Sequence, residues 1–172
     1  MTVRPVRPDD VPTVLALVRE LAAYERAEHE ARMTADQLHT ALFGEAPALF
    51  GHVAETPDGE VAGFALWFRT FSTWLGRHGI WLEDLFVSPD HRGGGLGKAL
   101  LTRLAQIAVE RGYGRVEWWV LDWNTPSIDF YRSLGAQPQE GWTVYRLDGD
   151  ALAALGSRLP DEAPQGTRVS RA

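Results

Sequence analysis

Cysteine is absent from the 172 residues. Its absence excludes disulfides, thiolate metal ligands and a cysteine nucleophile, and it suits a reducing compartment. Basic residues are in the minority: 17 Lys and Arg against 23 Asp and Glu leave a net charge of -6. A nucleic-acid binder needs a basic face, so that class is set aside. An acidic balance suits a cationic partner, because negative potential steers cations, although it also serves solubility alone. No apolar run approaches the roughly 18 residues that cross a bilayer. The polar segment Met1 to Asp10 carries two prolines and does not read as a signal peptide. The expectation is a cytoplasmic protein with neither a membrane nor a nucleic-acid partner. The five histidines, His29, His39, His52, His78 and His91, include no pair at metal-ligand spacing on a helix, so no metal site is expected. There is no Gly-x-Ser-x-Gly nucleophile elbow either.

What is present is enough apolar side chain for a core: 45% of residues, in a length that suits one domain. Val11, Val14, Leu15, Val18, Leu21 and Ala22 recur at helical spacing behind Asp9, Asp10 and Pro12. Thr34-Ala35-Asp36-Gln37 reads as a capping box that opens a second helix through Leu38 and Leu42. Strands are expected over 49–55 and 60–70, joined by the turn Thr56-Pro57-Asp58-Gly59. A loop over 71–79 carries Trp74, and a third strand covers 80–87. A helix follows with Leu100, Leu101, Leu104, Ile107 and Ala108 on one side. A strand over 116–121, a short helix opened by Asn124-Thr125-Pro126, a last strand over 142–147 and a helical turn over 150–155 complete the chain. The polar segment 156–172 reads as a disordered tail after a single domain of residues 1–155. The order predicts an α/β (α+β) fold: a mixed, mostly antiparallel sheet with a central parallel pair and helices on both faces.

The strongest chemical signal is Arg92-Gly93-Gly94-Gly95-Leu96-Gly97-Lys98, between a strand and a helix. Glycines there let successive N–H groups converge, and the helix N-terminus adds positive potential, which suits a pyrophosphate. A flexible turn is the plain alternative. A P-loop fails, because Arg92 stands where its first glycine belongs and Ala99 follows Lys98. A dinucleotide fingerprint fails too, with Lys98 or Leu100 in place of its third glycine. Arg92-x-x-Gly95-x-Gly97 remains.

That loop, after Leu82-Glu83-Asp84-Leu85-Phe86-Val87, resembles the acetyl-CoA pyrophosphate loop of the GNAT superfamily of N-acetyltransferases. Asp122-Trp123-Asn124-Thr125-Pro126-Ser127-Ile128-Asp129-Phe130-Tyr131, with Leu134-Gly135-Ala136, resembles the diamine and polyamine subgroup that includes the spermidine/spermine enzymes. Gly141-Trp142 and Leu21-Ala22-Ala23-Tyr24-Glu25 are similar to that subgroup as well. The resemblance covers roughly residues 3–150. The loop is specific to the superfamily, and the Trp-Asn-x-Pro-Ser segment to the subgroup.

The resemblance implies a site. The main chain of Leu85, Phe86 and Val87 would hold the pantetheine arm and thioester of acetyl-CoA. Arg92, Gly93, Gly94, Gly95, Leu96, Gly97 and Lys98 would hold the pyrophosphate, and Asn124, Thr125, Pro126 and Ser127 the far end of the pantetheine. Tyr131 would be the general acid to the leaving thiolate and also touch the cofactor. Glu83 would orient the amine or deprotonate it through water, while alternation along the strand turns Asp84 to the opposite face. Tyr24, Glu25, Glu83, Glu117, Trp118 and Trp119 would form an acidic, aromatic channel for a small amine. A homodimer is implied as well. The Trp118-Trp119 pair and the polar tail depart from the subgroup and leave the amine open. Alternatives are an amino acid, an aminoglycoside or a protein lysine as acceptor, a sensor that binds acetyl-CoA without catalysis, or a structural protein whose glycine loop is only a turn.

Overall fold

In the computed structural model, which describes residues 1–157, the apolar spacing after Asp10 is realised as α1 (Val11–Tyr24), with Val11, Val14, Leu15 and Leu17 buried. Asp10 does not cap this helix with its side chain. Its carboxylate instead accepts from the Arg7 amide at 2.7 Å and from the Arg4 guanidinium at 2.6 and 2.9 Å. Arg4 also reaches Glu55 at 2.7 Å. Arg4 lies in β1 (Thr2–Pro5), an edge strand that the sequence did not announce, since four residues ending in proline carry too little pattern. The expected capping box is present at α2 (Ala35–Phe43): Gln37 N–H donates to Thr34 Oγ1 at 3.2 Å, and Thr34 N–H donates to Gln37 Oε1 at 2.9 Å.

The sheet runs β1, β2 (Phe50–Glu55), β3 (Val61–Ser72), β4 (Arg77–Val87) and β5 (Val116–Glu117). The first three pairings are antiparallel, and β4 with β5 is parallel through Ile80↔Val116 and Trp81↔Glu117. The chain between β4 and β5 forms α3 (Leu96–Glu110). Val53, Phe64, Leu66 and Phe86 face α1 and α2 with Val14, Leu38 and Leu42. Alternation turns Ala54, Ala65 and Trp67 to the other face, where α3 packs with Leu100 and Leu104 buried. The sheet therefore carries helices on both faces, as expected.

Three strand ends differ from the sequence expectation by two residues or more. The loop expected over 71–79 shrinks to Thr73–Gly76, because pairing continues through Phe71↔His78 to Ser72↔Arg77. Backbone hydrogen bonds need no apolar side chain, so a polar hairpin end reads as loop. Trp74 sits at its tip, 90% exposed. At β5 the strand stops at Glu117 rather than Leu121.

A second compact unit begins at Trp123, the first comprising Met1–Asp122. It contains α4 (Thr125–Ser133) and α5 (Gly149–Gly156). Asn124 Oδ1 accepts from Ser127 N–H at 3.3 Å and caps α4. Gly135, at φ +88, closes it, with Ala136 N–H donating to the Tyr131 carbonyl. The strand expected over 142–147 is not formed: those residues carry no strand pairing, and Trp142, Val144 and Tyr145 are exposed. An alternating pattern makes a strand only where a neighbouring edge completes its hydrogen bonds. The disordered tail expected over 156–172 lies, apart from Gly156 and Ser157, outside the described residues.

Candidate active site

β3 and β4 fall out of register at one point. Leu66 pairs with Asp84 and Trp67 with Leu82, so Glu83 is an extra residue on β4. Such a bulge bends its strand and re-aims side chains. Asp84 shares the face of its partner Leu66, which is the α1 face. Trp81, opposite Phe68, lies on that face too, and its Nε1–H donates to Glu83 Oε2 at 3.0 Å. Glu83 and Asp84 therefore point the same way. This corrects the expectation that Asp84 faces away; strict alternation has no place for an added residue.

Electrostatics agree with this placement. Burial pushes the Asp84 carboxyl up to about 6, and the negative charges of Glu83 and Glu25 add to the shift. Glu25 follows the last turn of α1, half-buried, and its carboxyl is also raised by burial. Glu25, Glu83 and Asp84 thus form one acidic cluster. The negative potential of such a cluster favours a cation. Glu117 is in register with Trp81, but Arg115 Nε holds its carboxylate at 2.6 Å. The Trp119 ring stands edge-on to Trp81 at 4.9 Å, and Trp118 is half-buried.

Tyr24 borders the cluster differently. The Arg92 guanidinium lies 5.0 Å from the Tyr24 ring and 5.3 Å from the Phe86 ring, and Arg92 Nε donates to the Val87 carbonyl at 2.9 Å. Arg92 thus ties the glycine loop to the end of β4. Beyond Trp81, among the described residues, β4 pairs only on its β3 side. The other edge of Leu85, Phe86 and Val87 offers backbone groups that an amide-bearing ligand can meet as a further strand. Phe86 is buried, and Leu85 and Val87 are half-buried, so the claim on these residues concerns their main chain.

The glycine loop leads directly into α3. Gly93 and Gly95 have φ of +81 and +84, and a Cβ at either would meet nothing within 4 Å. These positions need glycine for backbone conformation, with open space in front. Gly94 is equally open, with only His91 O at 3.8 Å. Gly95 is the N-cap and no side chain caps the helix. The first amides of α3, from Leu96, Gly97 and Lys98, have no intrahelical acceptor. Leu96 is buried and Lys98 exposed. This is the arrangement an anionic phosphate requires.

The remaining expected residues lie on the second unit. Asn124 is buried and spends its side chain on the α4 cap, while Thr125 and Pro126 form the first turn. Ser127 and Tyr131 are four residues apart on α4 and share a face. Tyr131 is half-buried beside Phe130, with ring centroids 5.3 Å apart.

Comparison with known proteins bears on the family and the fold. Residues 14–136 match the model of the acetyltransferase (GNAT) family. The thialysine N-epsilon-acetyltransferase of Bos taurus is 36% identical over 166 residues, covering 91% of this chain and 97% of the relative. The L-ornithine N5-acetyltransferase of Arabidopsis thaliana is 34% identical over 197 aligned residues, covering 89% of this chain and 86% of the relative. Among solved structures, an integron cassette protein from the mobile metagenome of V. cholerae superimposes with a TM-score of 0.75 at 26% identity, over 90% of this chain and 96% of that one. The chain belongs to the GNAT family of acetyltransferases, enzymes whose acetyl donor is acetyl-CoA.

Proposed function

We propose that the protein transfers the acetyl group of acetyl-CoA to a primary amine of a small molecule bearing a second positive charge. Short diamines, polyamines and ω-amino amino acids fit this description. The observation that carries the proposal is the acidic cluster made by the β4 bulge, beside an open strand edge and a glycine-headed helix. The names of the two relatives, acetyltransferases of thialysine and of ornithine, support the acceptor class.

Bound acetyl-CoA supplies an activated thioester carbonyl for attack. The amides of Gly93 to Lys98 hold the pyrophosphate, and the backbone edge of Leu85 to Val87 holds the arm. Asn124, Thr125, Pro126 and Ser127 support the arm further along. Glu25, Glu83 and Asp84 draw in the cation, Tyr24, Glu117 and Trp118 border the acceptor, and Trp81 and Trp119 give it aromatic surface. An alkylammonium near 10.4 must lose a proton before it attacks. A carboxyl at about 6 accepts that proton at roughly 2 kcal/mol less cost than an ordinary Glu. Asp84 is therefore the better proton acceptor, and Glu83, held by Trp81, orients the amine. Tyr131 gives a proton to the leaving thiolate. The transfer is direct, without a covalent enzyme intermediate. Residues 1–155 act as one acetyltransferase domain in a cytoplasmic homodimer.

The test is thiol release from acetyl-CoA against putrescine, spermidine, lysine, thialysine, ornithine, an aminoglycoside, a basic peptide and butylamine. With no cysteine in the chain, a thiol reagent gives little background. A dicationic small amine should be the fastest substrate. Equal rates with butylamine, or activity on the peptide alone, would contradict the proposal.

A further inference from the structure

A pocket of about 310 Å³ opens at the start of β2 between the last turns of α2 and α3. Leu42, Leu49, Phe50, Trp67 and Ile107 give it an apolar lining. Phe50 stacks on the buried Trp67 with centroids 4.5 Å apart and rings 25° from parallel, so the Phe50 ring is the aromatic wall. His52 is only 5% exposed and lines the same pocket. Trp67 Nε1–H donates to His52 Nδ1 at 3.3 Å. An indole nitrogen can only donate, so Nδ1 carries the lone pair and the ring proton sits on Nε2. That Nε2–H has no hydrogen-bond acceptor among the described residues.

The charged groups at the pocket are Arg103, Glu110 and Arg111. Arg103 reaches Glu110 at 3.3 Å, which leaves the Arg111 charge in excess. Burial first, then the positive potential of Arg103 and Arg111, holds the His52 imidazole neutral, down at about 4. An N–H donor that faces the pocket and a guanidinium without a carboxylate partner among the described residues, beside the Phe50 ring, select a particular kind of guest. An amine would meet repulsion, and a neutral apolar molecule would leave the His52 donor unmet.

We infer that this pocket is a binding site for a small aromatic carboxylate, distinct from the acidic cluster. The carboxylate accepts from His52 Nε2–H and pairs with Arg111, and the ring lies against Phe50, which the buried Trp67 backs. Trp67 is in register with Leu82, immediately beside the Glu83 bulge, so only the Phe50–Trp67 stack separates an occupant from that point of the sheet.

The experiment is calorimetric titration of phenylacetate into the whole protein, with and without saturating acetyl-CoA. One saturable site is expected, indifferent to acetyl-CoA and weakened about tenfold in Arg111→Gln and in His52→Phe. The neutral 2-phenylethanol should bind about tenfold more weakly than phenylacetate. Arg111 is exposed, so its variant keeps the test valid if His52→Phe fails to fold. Absence of saturable binding, equal binding of 2-phenylethanol, full affinity in Arg111→Gln, or displacement by acetyl-CoA would overturn the inference.

Discussion

Glu83 and Asp84 are consecutive residues whose side chains share one face of the sheet, because Glu83 is the extra residue opposite the Leu66–Trp67 link. Two carboxylates that alternation would separate are thereby added to Glu25. Burial, with the negative charges of Glu83 and Glu25 added, raises the Asp84 carboxyl to about 6. In the wild type, kcat/KM should therefore rise through this pH as Asp84 ionises, on top of the rise from deprotonation of the amine. Asp84→Asn should remove that limb and lower kcat/KM by about a hundredfold. Profiles that superimpose would take Asp84 out of the proton path.

The same substitution should stabilise the fold. A carboxyl raised in the folded state binds a proton more tightly there than in the unfolded chain. Its effect on stability is absent below the unfolded value of 3.8 and turns unfavourable as pH rises toward about 6. Above that window Asp84→Asn should gain about 1–3 kcal/mol in urea denaturation. Stability gained with activity lost is the trade-off expected of a functional carboxylate.

Asp10 titrates in the opposite sense. Arg4, chiefly by hydrogen bonding, holds its carboxyl below the ordinary value of 3.8. Its contribution is full above that value and is lost as pH falls through the folded one. Asp10→Ala leaves Arg4 and the Arg7 amide without an acceptor they now share. It should cost about 2–3 kcal/mol at neutral pH, read by urea denaturation, with the deficit shrinking in acid.

Gly95→Ala separates conformation from space. Its φ of +84 penalises any side chain, while the absence of atoms within 4 Å removes a steric cause. The substitution should cost about 1–2 kcal/mol of stability. Acetyl-CoA affinity by calorimetry should fall with it, because the amides at the start of α3 are re-aimed. Unchanged affinity would make the loop a turn and nothing more.

Tyr131→Phe should reduce turnover by about a hundredfold with little change in acetyl-CoA affinity. Removing one hydroxyl from half-buried Tyr131 leaves the ring against Phe130 in place. An unchanged turnover would assign Tyr131 to packing.

Local features were readable where neighbouring residues decide them. The spacing of Val11, Val14 and Leu15 predicts α1, and Thr34 with Gln37 predicts the start of α2. The parallel Ile80↔Val116 pairing follows from strand, helix and strand in that order. Features that depend on a distant partner were not readable. β1 exists because β2 offers an edge to Thr2–Pro5, and nothing within those four residues says so. The bulge at Glu83 is a mismatch of length between two strands, so Asp84 looked turned away until both were paired. Trp142 to Leu147 show the converse, a strand-like pattern without strand pairing. No spacing in the sequence marks His52; its buried contact with Trp67 comes only from the pairing of β2 with β3.

The most direct test of the central claim is mass spectrometry of the acceptor after incubation of the purified protein with isotopically labelled acetyl-CoA and a short diamine or ornithine. The account predicts one labelled acetyl group on the amine, formed in step with free CoA, and no labelled acetyl on the protein. Release of CoA without an acetylated amine, or an acetylated protein that precedes the product, would contradict it.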